Sequence, residues 1–552
     1  MNTLVKLTEW WMNNRKLWFD SNSNDDKIIS DKFSHLLDIQ IDQRTLNLQI
    51  DPSLGYIILN DQIIRHVVRS KKLNQNLIQE KLDKIISFIK IFYDFNKDQI
   101  NEHEFCFTLL PLRHTNIYEN QLFVLNETWK KIYLLDKTCV GYKRKLEIYK
   151  TYLKATYERI ENKKITKCNL DEVNYCDIHG DIEIFIKNFD DILDDNARNY
   201  VTNDNHKTIN NKNPIIDACY KLSKTDKLIL SMSGGVDSII LSWIFYKLKL
   251  NFVMVHINYT NRRECDREKR FLLKWAKYIS IDLYIRDINE ITRSTCMEFE
   301  FRKVYESYTK NVRYNAYTQV LKDIECLSAH IILGHNSDDC FENILTNITN
   351  KTNYDDLNGM NFMTQITFKD DVIKFCRPML NITKTQIYEY AHHHNIPYLC
   401  DSTPKWSQRG KIRDIVKPTL KAWNPNVING LCELKDLMKS SLECVDLLVE
   451  TWINRFTSKT YERSIVQSIN ITFKEFTNNK MFWSRLLLKI KINASTKSID
   501  NLMNRISTIK NNFDTIQINV GHNTVLTKYT KFYFHKIDLN ELQLAFVQQL
   551  FI

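Results

Sequence analysis

Glycine and proline are scarce: ten and eight residues in a chain of 552, against average usages of about 7% and about 5%. Collagen-like, Gly/Ser-linker and Pro-rich architectures are therefore excluded. Each remaining glycine becomes a stronger pointer to a backbone position that needs one. Asn, Lys and Ile are abundant in their place, as an AT-rich coding bias would produce. No C-x-x-C pair occurs among the 13 cysteines, which argues against a disulfide framework and a zinc ribbon. Reduced thiols in an intracellular compartment are the expectation. No run of eighteen apolar residues exists, so no membrane partner is expected. The start, MNTLVKLTEWWMNNRK, lacks an apolar leader segment, and a cytoplasmic location is the expectation. Hydrophobic residues at 43% and charged residues at 26% exclude wholesale disorder. The net charge of +11 is uneven: residues 451–552 hold 14 Lys/Arg against 6 Asp/Glu. Such a basic tail suits a polyanion partner, or a solvated basic face.

Four regions are predicted. Residues 1–160 carry long apolar-periodic runs and read as helical. Residues 161–215, polar and then Asn-rich, read as a linker or connector. Over 216–430, short apolar runs (LILSMS, NFVMVHIN, DLYIRDI, HIILGH) alternate with helical segments, the mark of βαβ units and a parallel sheet. Residues 431–552 read as mainly helical, with a strand-like stretch near 514–536. The fold class is thus a helical N-terminal domain, a central α/β parallel-sheet domain and a mainly helical, basic C-terminal domain.

The strongest motif is Ser231-Met-Ser-Gly-Gly-Val-Asp-Ser238, set between a buried-strand pattern and a helix pattern. Amides in a Gly-rich strand-to-helix turn converge on one concavity and can hold an anion at the helix N-terminus. Ser233, Gly234, Gly235, Val236 and Ser238 would form that cradle, and Asp237 could hold Mg²⁺ against the phosphates. A tight turn capped by Ser and Asp is the plainer alternative. The motif resembles the loop of the PP-loop ATP pyrophosphatases, which implies cleavage of ATP to AMP and diphosphate with adenylation of an acceptor.

The acceptor must be read from the segments downstream of that loop. His256-Ile-Asn-Tyr259-Thr-Asn-Arg262-Arg-Glu264 ends the second strand, and Lys310-Asn-Val-Arg313-Tyr314 lies on a helix. Gly334-His335-Asn-Ser-Asp338-Asp339-Cys-Phe-Glu342-Asn343 runs from a strand end into a helix. Spacing by four places carboxylates on one helical face, at the sheet edge where Mg²⁺ or a substrate ammonium would sit. An acidic first turn is also favourable on its own account. Gly359-Met360, Arg377-Pro-Met-Leu380 and Arg409-Gly-Lys-Ile-Arg413 come next. In this order the segments resemble tRNA(Ile)-lysidine synthetase, over about 215–430 and more weakly at Phe482-Trp483…Ile499 and Val520-Gly521…Phe534.

That resemblance implies adenylation of the wobble cytidine of a tRNA(Ile) with a CAU anticodon, then displacement of AMP by free L-lysine. ATP and Mg²⁺ are the implied cofactors. Asp237, Arg313, Asp339 and Glu342 are the implied catalytic residues. His256, Gly334 and His335 would join the nucleotide cradle, and Asp338 would join Asp237 at the metal. Arg262, Lys310, Arg377, Arg409 and Arg413 would contact tRNA or substrate, and the basic tail would grip tRNA phosphates. Homodimerisation is left open. The sequence departs from the family at Tyr259 for a second His, Lys310 for Arg, Asn343 for Thr and Asn350 for Arg, which bears on the lysine pocket.

The N-terminal stretches Trp18-Phe19…Phe33, Leu59-Asn-Asp61-Gln62-Ile-Ile-Arg65 and Leu110-Pro-Leu-Arg-His114…Gln121 resemble an uncharacterised family of helical, TPR-like proteins. That gives a fold and no chemistry. Asp61, Gln62, Arg65 and His114 read as helix-packing hydrogen bonds, with a polar site as the alternative. His392-His393-His394 cannot all face one metal from consecutive helical positions. Two other functions compete with the lysidine reading. One is another PP-loop enzyme with a different acceptor, disfavoured by the missing Cys pairs and glutaminase nucleophile. The other is a non-catalytic tRNA-binding scaffold.

Overall fold

In the computed structural model of the chain, the residues described are 2–18, 23–138, 140–173, 227–261, 264–326, 329–349, 360–399, 407–461, 464–470, 479–490, 492, 494–508, 516–520, 523–528 and 531–537. The N-terminal region folds as eight α-helices among these residues: α1 (Asn2–Asn13), α2 (Ser23–Phe33), α3 (Ile50–Ile58), α4 (Ile64–Lys71), α5 (Asn76–Asn96), α6 (Glu102–His114), α7 (Tyr118–Tyr133) and α8 (Tyr142–Ile160). A π-helical turn, Leu59–Ile63, joins α3 to α4. Periodic apolar positions explain the helices: along α5, Leu82, Ile85, Phe88, Ile89, Phe92 and Tyr93 are all buried.

The central sheet has seven strands in the order β1-β4-β3-β2-β5-β7-β6. They are β1 (Thr166–Lys167), β2 (Leu228–Met232), β3 (Phe252–Asn258), β4 (Leu283–Asp287), β5 (His330–Ile332), β6 (Met363–Phe368) and β7 (Asp371–Cys376). The five inner strands run parallel, and β1 and β6 are antiparallel edges. The expected connector therefore begins inside the fold, since Thr166 and Lys167 pair with Ile285 and Tyr284; residues 174–226 lie outside the described ones.

Alternation sorts the strand residues onto two faces. Leu228, Leu230, Met254 and Leu283 pack against α9 (Val236–Lys247), α10 (Glu264–Ile279) and the later helix Lys384–His393. Ile229, Val253, Val255 and Tyr284 face the other way, toward a layer built on α12 (Arg302–Asp323), which follows the short α11 (Arg293–Glu298). The N-terminal helices dock on the outside of that layer. Tyr157 of α8 meets Tyr308 of α12 with ring centroids 4.8 Å apart, and Trp129 of α7 meets Phe301 at 5.6 Å. Asn311 Nδ2 donates to Glu161 at 3.0 Å, and the Ile165 amide donates to Gln319 at 2.9 Å. The N-terminal core is thus continuous with one face of the sheet layer.

The remaining helices are α13 (Ser337–Thr349), α14 (Lys384–His393), α15 (Gln408–Lys411), α16 (Lys417–Trp423), α17 (Val427–Ile453), α18 (Lys480–Lys489) and α19 (Thr496–Ile506). The C-terminal region also contains a five-stranded antiparallel sheet: β8 (Thr457–Tyr461), β9 (Ser464–Asn470), β10 (Ile516–Val520), β11 (Asn523–Lys528) and β12 (Lys531–Ile537). The strand-like stretch near 514–536 is three of these strands; the hairpin at 457–470 is additional to the sequence expectation. No helix among the described residues is long and apolar enough to cross a membrane.

Candidate active site

The chain runs β2, β3, β4 outward in one direction and then returns to place β5 on the other side of β2. A crevice opens at such a reversal, beyond the C-terminal ends of the strands. The Ser233–Ser238 turn leaves β2 there, and Gly334–His335 leaves β5 beside it. The Ser233 amide and hydroxyl both lie 3.2 Å from Ser238 Oγ, which donates to the Gly235 carbonyl at 3.1 Å. Gly234 sits at φ +82°, and a Cβ there would stand 2.8 Å from Leu399 Cδ1. The positive φ restricts the position to glycine, while the Leu399 side chain could shift aside. Gly334 is a close approach: a Cβ would lie 3.1 Å from Asp237 Cβ. Val236 is buried at the start of α9.

Asp237 stands in the first turn of α9. Its Oδ1 accepts from Asn336 Nδ2 at 2.9 Å and its Oδ2 from Lys384 Nζ at 2.6 Å. Burial raises its pKa, the nearby Asp339 adds to the rise, and Lys384 opposes it. Asn336 also caps α13, accepting from the amides of Asp338 and Asp339 at 2.9 and 3.1 Å.

The acidic residues of α13 divide differently from the expected spacing by four. Asp338 turns to Lys417, 2.9 Å away. Asp339 and Glu342, three apart and both buried, share two arginines instead. Arg409 reaches Asp339 at 2.7 Å and Glu342 at 3.0 Å. Arg413 reaches Asp339 at 3.2 Å and pairs with Glu342 through Nε. Residues at i and i+3 also share a helical face, and α15 with the turn after it supplies the arginines from outside.

Histidines and arginines complete the crevice. His256 follows the parallel register opposite Met232, and its Nδ1 donates to the Met232 carbonyl at 2.9 Å. Its Nε2 is buried with no hydrogen-bond partner among the described residues, and burial lowers its pKa. His335 Nδ1 accepts from Arg377 Nε at 3.2 Å. Burial, with Arg377, Arg409 and Arg313 nearby, brings its pKa down to about 4. Burial works against the charge of Arg313, but the surrounding Tyr259, Tyr317 and Tyr314 outweigh it and raise its pKa. Tyr259, which departs from the family pattern, thus lies beside the implied catalytic arginine. Lys310 is exposed, its Nζ 5.7 Å from the Tyr314 ring centre. Arg262, Gly359 and Asn350 fall outside the described residues.

Direct contacts join Asp339, Glu342, Arg409 and Arg413 in one group and His335 with Arg377 in another, Asn336 bridges Asp237 to Asp339, and Lys310 is exposed. Sequence reading missed Lys384, Asn336 and Lys417. Lys384 had a signal: it occupies the first turn of a helix capped by Thr383. A cation there opposes the helix dipole and calls for a carboxylate partner.

The low pKa of His335 has a consequence for stability. Its folded pKa lies below the unfolded value, so the unfolded chain takes up the proton first as pH falls from about 6.5 toward about 4. Stability is lost across that window, by about 3 kcal/mol at most from this group. Chemical unfolding at several pH values should show His335→Gln with a shallower acid-side decline than the parent chain.

Residues 205–420 match the PP-loop domain family, and residues 7–153 match a family of bacterial proteins of unknown function. The tRNA(Ile)-lysidine synthase of Mycoplasma mycoides is 24% identical over 341 residues, covering 60% of this chain and 79% of that enzyme. That of Clostridium tetani is 25% identical over 268 residues, 47% of this chain and 54% of the relative. That of Bacteroides thetaiotaomicron is 30% identical over 212 residues, 38% of this chain and 46% of the relative. The chain thus spans about half the length of the last two. Among solved structures, a U34-tRNA thiolase from Methanococcus maripaludis aligns at 15% identity with a TM-score of 0.32, covering 41% of this chain and 78% of that one.

Proposed function

From a PP-loop domain at residues 205–420 in a chain similar to tRNA(Ile)-lysidine synthases, we propose an ATP-dependent tRNA-modifying ligase. It joins L-lysine to carbon 2 of the wobble cytidine of a tRNA(Ile) with a CAU anticodon. The observation that carries this reading is the buried Asp339–Glu342 pair beside the anion cradle, already binding two cationic groups.

In the first step the cytidine O2 attacks the α-phosphorus of ATP. An O–P bond forms, the bond to the bridging oxygen breaks, and diphosphate leaves. The amides at the start of α9 hold phosphate oxygens, and Arg313 and Arg377 offset charge that grows during transfer. One or two carboxylates with substrate phosphates are an ordinary Mg²⁺ arrangement. Asp237 and Asp338 would hold the ion, each now paired to a lysine, Lys384 and Lys417. When bound, Mg²⁺ supplies charge neutralisation at the departing diphosphate.

In the second step the lysine amine attacks carbon 2, AMP leaves with the oxygen, and the amine gives up a proton. A substrate ammonium would take a position on Asp339 and Glu342 that Arg413 or Arg409 holds in the structure. The excess of Lys/Arg at 451–552 suits a tRNA phosphate contact. The reaction would run in the cytoplasm.

The test is incubation of the purified chain with ATP, labelled lysine and a CAU-anticodon tRNA. Label is expected in the tRNA and lost in Asp237→Ala. AMP release without label transfer would indicate a different acceptor. No AMP with any tRNA would overturn the enzymatic reading in favour of a scaffold.

A further inference from the structure

The N-terminal helices enclose a cationic cluster that the proposed ligase reaction does not use. Its centre is Asp61, on the π-helical turn Leu59–Ile63, with a side chain only 1% exposed. Such turns arise where one extra residue is fitted into a helix, and they recur at functional sites. Asp61 accepts from Gln62 Nε2 at 2.5 Å, from Arg65 Nε and Nη2 at 3.1 and 3.0 Å, and from His114 Nδ1 at 2.9 Å. Its carboxylate is fully engaged, with no strong position left for another cation.

Two more arginines stand around it. Arg113 ends α6 next to His114, and Arg159 lies in the last turn of α8. Neither has a carboxylate partner among the described residues. Arg113 Nε is buried without a hydrogen bond, and its guanidinium lies 4.8 Å from the ring centre of Tyr152. The Tyr152 hydroxyl is also buried without a hydrogen bond. Tyr152 and Arg159 are seven residues apart, two turns along one face of α8. The charges sense one another: Arg113 and Arg65 both lower the pKa of Arg159, after burial, and Asp61 opposes them. Burial lowers the pKa of His114, against the pull of Asp61.

Among the described residues the local balance is three guanidinium groups against one carboxylate, with two buried donors unpaired. Buried donors normally find partners, and clustered guanidinium groups, of which Arg159 is exposed and Arg113 half-buried, favour an anion. We propose that Arg113, Arg159 and the Tyr152 hydroxyl form a binding site for the phosphate group of a small phosphorylated molecule, with the Asp61–Arg65–His114 network as its rigid floor. Guanidinium groups match phosphate oxygens in pairs, and the phenol adds a further donor.

The probe is inorganic phosphate, and the readout is amide hydrogen exchange on the full chain. This localises the effect, since the cradle at α9 also takes phosphate. Phosphate should slow exchange at Leu59–Ile63 and across α8 by tenfold or more. The protection should persist in Asp237→Ala and vanish in Arg159→Gln, an exposed position whose replacement leaves the helix core untouched, and in Arg113→Gln. Arg113→Lys should retain part of it. Absence of protection in the parent chain, its survival in both glutamine variants, or its loss in Asp237→Ala would each overturn the proposal.

Discussion

Asp237→Asn is expected to slow ATP conversion to AMP and diphosphate by roughly 10²–10³-fold, the usual cost of one group acting on transition-state charge. The change keeps shape and removes charge. Asn336 can still donate to the remaining carbonyl oxygen, whereas Lys384 loses its counter-ion. Uncompensated, Lys384 would lie against the ATP phosphates and tighten ground-state binding, so kcat should fall while KM holds or drops. Diphosphate release with saturating tRNA separates the two parameters. The carboxylate is already strained toward neutrality by burial and by Asp339, and a partner at the phosphates would relieve it. An unchanged kcat would remove Asp237 from the phosphate chemistry.

The second large effect is on stability. Arg413→Met should destabilise the chain by about 3 kcal/mol, because the Asp339 and Glu342 side chains, 9% and 4% exposed, lose the better-buried of their two counter-ions. Arg409→Met should cost about 1 kcal/mol or less, since its side chain is 55% exposed and solvent screens its pairs. Adding Glu342→Gln to Arg413→Met should restore much of the loss, giving a large coupling energy in a double-mutant cycle of denaturant unfolding. Additive effects would mean that the four groups do not act as one unit.

The turn proposed as the anion cradle is legible in the sequence because its requirements are local. A buried strand, a pair of glycines and a helix start are contiguous at Leu228–Lys247, and Gly234 at φ +82° is a backbone demand that sequence can express. The parallel sheet is legible from short apolar runs for the same reason. What lies beyond reach is set by tertiary geometry. The spacing Asp338, Asp339, Glu342 allows two different faces, and only the approach of Arg409 and Arg413 selects the second. The family resemblance assigns those arginines to tRNA or substrate. In the structure they meet carboxylates of their own chain. The hairpin at 457–470 is hidden because Glu462-Arg463 stands between its strands where Asn-Gly or Asp-Gly would have announced a turn. In the N-terminal region the four polar residues, and Arg113 beside His114, are visible in sequence, but Tyr152 and Arg159 come to them only through the packing of α6 against α8.

The α12 layer has a consequence for the history of this chain. Residues 7–153 and 205–420 match separate families, so two ancestries meet in one polypeptide. They no longer meet as beads on a string, because Tyr157, Phe299, Phe301 and Tyr308 are interior to both. A lineage that dropped the N-terminal helices would have to resurface that aromatic seam with polar residues at several positions together. The fusion behaves as a ratchet: easy to keep, costly to reverse. The helical part is thereby tied to the PP-loop domain as a fixed companion.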